Sequence, residues 1–322
     1  MIIKVENLTK TYVTYKRGHT FWDILKSIFK REKVLVEALK SISFNIEKGE
    51  LVGFLGPNGA GKSTTIKILS GILFPTSGVV DSYGYVPWLM RKKYVAHIGA
   101  VFGQKSQLIW DIPAIDSFYM NQAIYDIKKA DFKKRLNKMV NMLEVNEIIK
   151  KPTRQLSLGE RMRCEFIMAM LHNPKIVFLD EPTIGLDVVA KEKIRIFIKE
   201  MNEKGVTFIL TTHDMDDVEH LAKRVIVINH GKIVFDGKMS ALKNYLGTKK
   251  IVRLATHEKL PKFDRKGVEN INIINNYEAA LELDLAKIEL NNFIKLINEN
   301  NTIRDISIHE PPIETVVKKL YE

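Results

Sequence analysis

The stretch "GPNGAGKST", Gly56 to Thr64, has residue types and spacing suited to holding a phosphate chain. Gly56, Gly59 and Gly61 permit a tight turn whose backbone N–H groups converge on an anion, with Pro57, Asn58 and Ala60 completing the loop. Lys62 can reach β- and γ-phosphates, the Ser63 hydroxyl can ligate Mg²⁺, and Thr64 can donate to the α-phosphate. The apolar "LVGFL" precedes this loop and "TTIKILSG" follows it as a helix, so the strand–loop–helix context that the pattern requires is met. A helix start there adds partial positive charge. A Gly-rich turn that binds nothing is the bland alternative, and pattern and context together weigh against it.

"KIVFLDEP", residues 175 to 182, reads as a buried strand ending in two acids. Alone it would be an ordinary exposed turn. Opposite a phosphate loop, Asp180 becomes a partner for Mg²⁺ and Glu181 is suited to hold and polarise an attacking water. "QLSLGER", residues 155 to 161, opens another helix. Ser157 and the Gly159 backbone could donate to an anion there. Equally, Ser157 could be a plain N-cap with Glu160 in the first turn, and local sequence does not choose.

Order and spacing do choose. "LSLGE" lies one helix upstream of "IVFLDEP", "IGLD" with Asp187 follows, "LTTHDMDDVE" brings His213 to the end of an apolar strand, and "VFGQKSQ" supplies Gln104 earlier. Six elements in this order resemble an ATP-binding-cassette (ABC) ATPase over about residues 1 to 240. The resemblance implies a head-to-tail dimer that sandwiches two ATPs. Ser157, Gly159 and Glu160 would then complete the partner's site, and Asp187 would bridge the protomers. His213 would contact the γ-phosphate and orient the water. Gln104 would sense Mg²⁺ and the water. Tyr12 would stack on adenine, Tyr15 being second choice, although a half-buried strand residue explains Tyr12 nearly as well. Leu158 stands where the family usually has Gly and Glu160 where Gln is common. The invoked donors, Ser157 and Gly159, are kept.

Narrower similarities lie in "GQKSQLIWDIPAIDSF", "LDEPTIGLDVVA" and the C-terminal "DISIHEPPIETVVKKLYE". They resemble exporter ATPases that pair with a separate ABC-2-type membrane permease. The implied protein is an ATP hydrolase using ATP and Mg²⁺, a homodimer bound peripherally at the cytoplasmic face of the cell membrane through its permease.

These residues need an α/β framework. Up to about residue 240, short apolar strands alternate with amphipathic helices. The expected fold is a P-loop NTPase core of ABC type with an antiparallel β subdomain and a helical subdomain at about 105–170. A small α+β accessory domain is expected over 241–322, with strands at "KIVRLATH", "NINIIN", "EAALELD" and "IRDISIH", and helices at "AKIELNNFIKLINEN" and after Pro312. Between two early strands, "RGHTFWDILKSIFKREKV" interleaves aromatic and aliphatic residues with Lys and Arg, the pattern of a basic amphipathic helix at about 19–33. It resembles an insertion in polysaccharide-exporting ABC ATPases. Packing on the core and contact with membrane or permease are both open.

Composition bounds the rest. The chain has 322 residues and a net charge of +12, which favours acidic partners. One cysteine, Cys164, excludes an intrachain disulfide, and its apolar surroundings suggest a buried small hydrophobe. No apolar stretch approaches the ~20 residues that span a bilayer, so another chain would have to cross it. The competing class is a soluble ABC ATPase acting on nucleic acid or the ribosome. The chain lacks the long coiled coil or second cassette usual there, so no nucleic-acid partner is expected.

Overall fold

In the computed structural model the described residues are 1–15, 33–103, 105–212, 214–244, 249–261, 263, 266–299 and 301–309. The expected helix at 19–33 lies outside them except for Lys33, as do Gln104, His213 and the helix expected after Pro312. The chain divides into two compact units, Met1–Met239 and Ser240–Glu322.

The first unit holds two sheets. A six-stranded sheet has the order β5 (Ile98–Phe102), β6 (Ile176–Asp180), β7 (Thr207–Thr211), β3 (Leu51–Leu55), β8 (Arg224–Asn229) and β9 (Lys232–Lys238). Its first five strands are parallel and β9 is antiparallel. The sequences "LVGFL" and "TFILT" are buried at every position, as expected for strands covered on both faces. By contrast "KIVFDGK" at the edge alternates half-buried and exposed residues.

The second sheet is antiparallel, with β1 (Ile3–Tyr15) between β2 (Lys33–Ile46) and β4 (Ser77–Ser82). Lys33, expected to end the inserted helix, instead pairs with Tyr15 at the far end of the β1–β2 ribbon. The β-branched run "VLV" after it suits a strand better than a helix. One apolar core joins this sheet to α1 (Lys62–Leu69) and the six-stranded sheet. Phe44 meets Phe54 edge-on at 5.3 Å, and the buried Tyr94 donates its hydroxyl to the Leu69 carbonyl at 2.7 Å.

Between β5 and β6 lie the helices α2 (Ala114–Ile124), α3 (Lys129–Met142) and α4 (Leu158–Met170). On α4, Met162, Cys164, Glu165, Phe166 and Ile167 are all buried. Burial pushes the Cys164 thiol up to about 12, so it behaves as a packed hydrophobe. Helix α5 (Val188–Glu203) precedes β7, and α6 (Met215–Leu221) leads into β8.

The second unit carries a four-stranded antiparallel sheet, β11 (Val268–Asn275), β12 (Glu278–Asp284), β10 (Lys249–Thr256) and β13 (Ile303–His309), in that order. Helix α7 (Leu290–Asn298) buries Phe293 and Ile297. It starts later than the expected stretch from Ala286, because the Ala286, Lys287 and Ile288 N–H groups close a turn on Asp284.

Candidate functional site

The strand–loop–helix around Gly56 fixes the first cluster. The loop leaves β3 and presses against its neighbours. A Cβ on Gly56 would lie 2.2 Å from the Ile228 carbonyl oxygen, and one on Gly61 would lie 2.7 Å from the Ala38 oxygen. Gly59 has φ +82° and nothing near it, so there the backbone conformation rather than space calls for glycine. Pro57, Asn58 and Gly59 are exposed, whereas Ala60, Gly61 and Lys62 are buried. The Ala60 carbonyl accepts from Gly231 N–H at 3.0 Å, tying the loop to the turn between β8 and β9. Thr64 sits half-buried in the first turn of α1.

Lys62 is 5% exposed, and its ammonium donates to the Gly56 carbonyl at 2.6 Å and the Pro57 carbonyl at 3.1 Å. Burial holds Lys62 below the usual lysine range, while Glu181 and Asp180 pull it partly back. Beside it the Ser63 hydroxyl donates to Asp180 Oδ1 at 2.9 Å. The Thr211 hydroxyl donates to the same oxygen at 2.5 Å. Two hard oxygen donors from α1 and the end of β6 thus meet at the mouth of a backbone cradle, a donor set that fits Mg²⁺ beside a polyphosphate.

Glu181 leaves β6 with φ +53°, uncommon for a residue with a side chain. Its N–H donates to the Thr211 carbonyl at 2.9 Å. Gly103 backs it closely, since a Cβ there would lie 2.2 Å from the Glu181 carbonyl oxygen. Gly103 N–H also donates to the Asp180 carbonyl at 2.9 Å. The residue before Gln104 is therefore seated on the two acids.

Ser157, Gly159, Glu160 and Asp187 form a second cluster. Ser157 N-caps α4 in a full capping box: its Oγ accepts from Glu160 N–H at 3.2 Å, and Glu160 Oε2 accepts from Ser157 N–H at 2.8 Å. That N–H holds the Glu160 carboxyl below the usual range. The plain N-cap reading of Ser157 thus describes this conformation. Asp187 N-caps α5, accepting from Ala190 N–H at 2.8 Å. A Cβ on Gly159 would lie 2.9 Å from the Ala190 Cβ and 3.9 Å from Asp187 Oδ2, so "LSLGE" and "IGLD" touch within one chain. Leu158, at the unusual position, is 37% exposed and lies against Gly185. Tyr12 is half-buried on β1 opposite Val36, with the Lys10 ammonium 5.1 Å from its ring centroid.

The family described as ABC transporter matches residues 39–184, which take in the loop from Gly56 to Thr64, Ser157, Gly159, Glu160, Asp180 and Glu181. An uncharacterised ABC transporter ATP-binding protein of Methanocaldococcus jannaschii is 35% identical, over 74% of this chain and 78% of that one. The chain belongs to the ABC transporter ATP-binding family. The linearmycin resistance ATP-binding protein LnrL of Bacillus subtilis is 29% identical over 88% of this chain and 93% of its own length. Among solved structures, the ATP-binding cassette MJ0796, dimeric in a post-hydrolysis state with ADP and Pi, is similar with a TM-score of 0.61. It is 28% identical over 74% of this chain and 98% of that one. This ABC protein is thus an ATP-binding and ATP-hydrolysing subunit of a transporter.

Three residues of the site went unread in the sequence. Thr211 and Gly103 carry weak signals, a Thr ending an apolar strand and a Gly before Gln104. The third is Glu165. It is 3% exposed on α4, where helical spacing marks an apolar position. Its carboxylate accepts from the Ser106 hydroxyl and from Gln107 N–H at 3.0 Å. Burial raises its pKa and these donors pull it back. An acid on the buried stripe of "CEFIMAM" was the available clue.

Proposed function

We propose that this chain is the ATPase of an exporter, working as a homodimer on a separate ABC-2-type permease at the cytoplasmic membrane face. The observation that carries the catalytic part is the meeting of Ser63 and Asp180 oxygens beside Lys62, with Glu181 the next residue. Ser63 and Asp180, with Gln104, would hold Mg²⁺, whose charge would offset that developing on the β- and γ-phosphates. The loop amides from Gly56 to Thr64 bind the phosphates, and Lys62 exchanges its bonds to the Gly56 and Pro57 carbonyls for phosphate oxygens. Glu181 polarises the attacking water, aligned by His213. Tyr12 stacks on adenine. Ser157 and Gly159 donate to the γ-phosphate held by the partner protomer; the Ser157 hydroxyl keeps its proton for this, because within the capping box its oxygen acts only as acceptor.

The exporter reading is supported by the name of LnrL, a resistance ATP-binding protein similar over nearly the whole chain. The dimer is supported by the dimeric state of the MJ0796 cassette. Among the described residues no helix is long and apolar enough to cross a membrane, which suits a subunit that depends on a separate permease. The test is Glu181→Gln. It should bind ATP, shift to a dimer in size-exclusion chromatography with ATP, and lose about 10²–10⁴-fold in turnover. Normal steady-state hydrolysis would overturn the role of Glu181. An ATP-saturated monomer at micromolar concentration would overturn the dimer, and membrane pull-down of the tagged chain without a permease would overturn the partner.

A further inference from the structure

Glu165 is the one charged residue on the buried face of α4 among the described residues, and it does not touch the phosphate cradle. It faces the segment 105–108 instead. Ser106 and Gln107 are exposed and Leu108 is buried, so this loop has little apolar packing of its own. What holds it is polar. Glu165 Oε1 accepts from the Ser106 hydroxyl, from Gln107 N–H at 3.0 Å and from Leu108 N–H at 3.4 Å; Oε2 accepts from Gln107 N–H at 3.1 Å. The Gln107 side chain in turn donates to the Ala100 carbonyl on β5 at 2.5 Å.

The loop connects two parts of the machinery. Upstream, Lys105 N–H donates to the Phe102 carbonyl at 2.9 Å and Gly103 N–H to the Asp180 carbonyl at 2.9 Å, so the loop begins on the metal-side acid. Downstream, Thr153 N–H donates to the Ile112 carbonyl and Arg154 N–H to the Trp110 carbonyl, both at 3.0 Å. These contacts lie just before Ser157. Glu165 itself is eight residues along the helix that Ser157 caps, about 12 Å at 1.5 Å per residue.

We propose that Glu165 is a positioning residue that locks the 105–108 loop to α4, so that the loop after β5, seated on Asp180 through Gly103, and the helix capped by Ser157 move as one body. The physical reason is the number of donors. Three N–H or O–H groups converge on one buried carboxylate, and hydrogen bonds to an ionised acceptor are about twice as strong as neutral ones. An amide in its place keeps one neutral acceptor oxygen and a methyl keeps none, so Gln107 N–H loses its strong partner, whereas Leu108 N–H retains the Ser106 hydroxyl oxygen at 3.2 Å. The Asp180 end and the Ser157 end would then move independently, and ATP held correctly in the cradle would no longer bring the helix start into register. This rests on the functional reading above, since the consequence for turnover assumes that Ser157 serves a dimeric site.

The experiment is Glu165→Gln in the full chain, with two readouts. Hydrogen exchange reads the Gln107 and Leu108 amides, and steady-state ATPase kinetics read kcat and KM apart. The tether predicts exchange faster by about tenfold at the Gln107 amide, with a smaller rise at Leu108, whose N–H keeps the Ser106 hydroxyl oxygen. It predicts kcat lower by about tenfold with ATP affinity within about twofold of wild type, because the cradle is untouched. Unchanged exchange would overturn the tether. Freed amides with unchanged kcat would overturn its role in turnover. An equal loss of ATP affinity would show that Glu165 acts through the general fold. If Glu165→Gln fails to fold, Ser106→Ala on the exposed loop removes one donor to Glu165 and the nearer acceptor of Leu108 N–H, and should move both readouts in the same direction by about threefold. Exchange needs no turnover, so it reads the tether independently; a wild-type chain that hydrolyses nothing would overturn the functional reading instead.

Discussion

Arg195→Met should destabilise the first unit strongly, through a buried ion pair with Asp217. Asp217 on α6 is fully buried at 0% exposure. Its Oδ1 accepts from Arg195 Nε at 2.7 Å and pairs with Nη2 at 2.5 Å, while Oδ2 accepts from the Thr183 hydroxyl. The three residues come from α5, α6 and the turn after Glu181, so the triad clasps the segments that carry Asp187 and Glu181 to α6. Methionine keeps much of the aliphatic volume and removes the charge. The carboxylate would keep only Thr183, and stripping the partner from a buried pair costs about 3–5 kcal/mol. At about 2–4 °C per kcal/mol for a unit of this size, that is a drop of roughly 6–20 °C in Tm. The assay is thermal and urea unfolding of wild type, Arg195→Met, Asp217→Asn and the double variant. The amide introduced by Asp217→Asn can still bond Thr183 without needing a cation, so the double variant should recover more than half of the loss. A loss under about 1 kcal/mol for Arg195→Met, or a double variant as unstable as the two singles summed, would refute the argument that an unpaired buried charge is the cause.

Two further outcomes are expected. Bound phosphate should raise the depressed pKa of Lys62, so the ATP-bound chain holds more protons in the window between the free and bound values; ATP affinity should fall as pH rises through that window and be independent of Lys62 below it. Calorimetry across a pH series, in buffers of differing ionisation heat, should detect the proton uptake, and Lys62→Met should abolish it. Gly56→Ala places a Cβ 2.2 Å from the backbone oxygen of Ile228, which no rotamer change relieves. The loop must shift, at about 1–3 kcal/mol of stability and more than tenfold in ATP affinity, measured by unfolding and by titration with ATP.

The phosphate cradle was legible because its parts are contiguous. A strand, a glycine loop and a helix start follow one another in "LVGFLGPNGAGKST", and local backbone chemistry dictates their arrangement. The start at Ser157 was only half legible: the three-residue spacing to Glu160 allows an N-cap at any helix start, and local sequence did not choose between that and an anion site. Of the β1–β2 ribbon the sequence conveyed only part, because a run such as "KVLVEALK" fits a helix end and a strand start alike until Tyr15 and Lys33 are paired across it.

What tertiary structure alone decided is who meets whom over long separations. Ser63 reaches Asp180 across 117 residues because β3 and β6 flank β7 in one parallel sheet, which brings their C-terminal ends to one edge. Glu165 sits at a position that helical period reserves for an apolar side chain, and nothing local distinguishes it from an error of patterning. Its meaning lies in three donors more than fifty residues away, gathered by the packing of α4 beside the loop after β5. Sequence by itself determined the chemistry available to this protein, because the types and spacing of short motifs set which groups can bind phosphate and metal. The fold decided how those motifs are tied together, because a buried charge is tolerated only where distant donors converge on it.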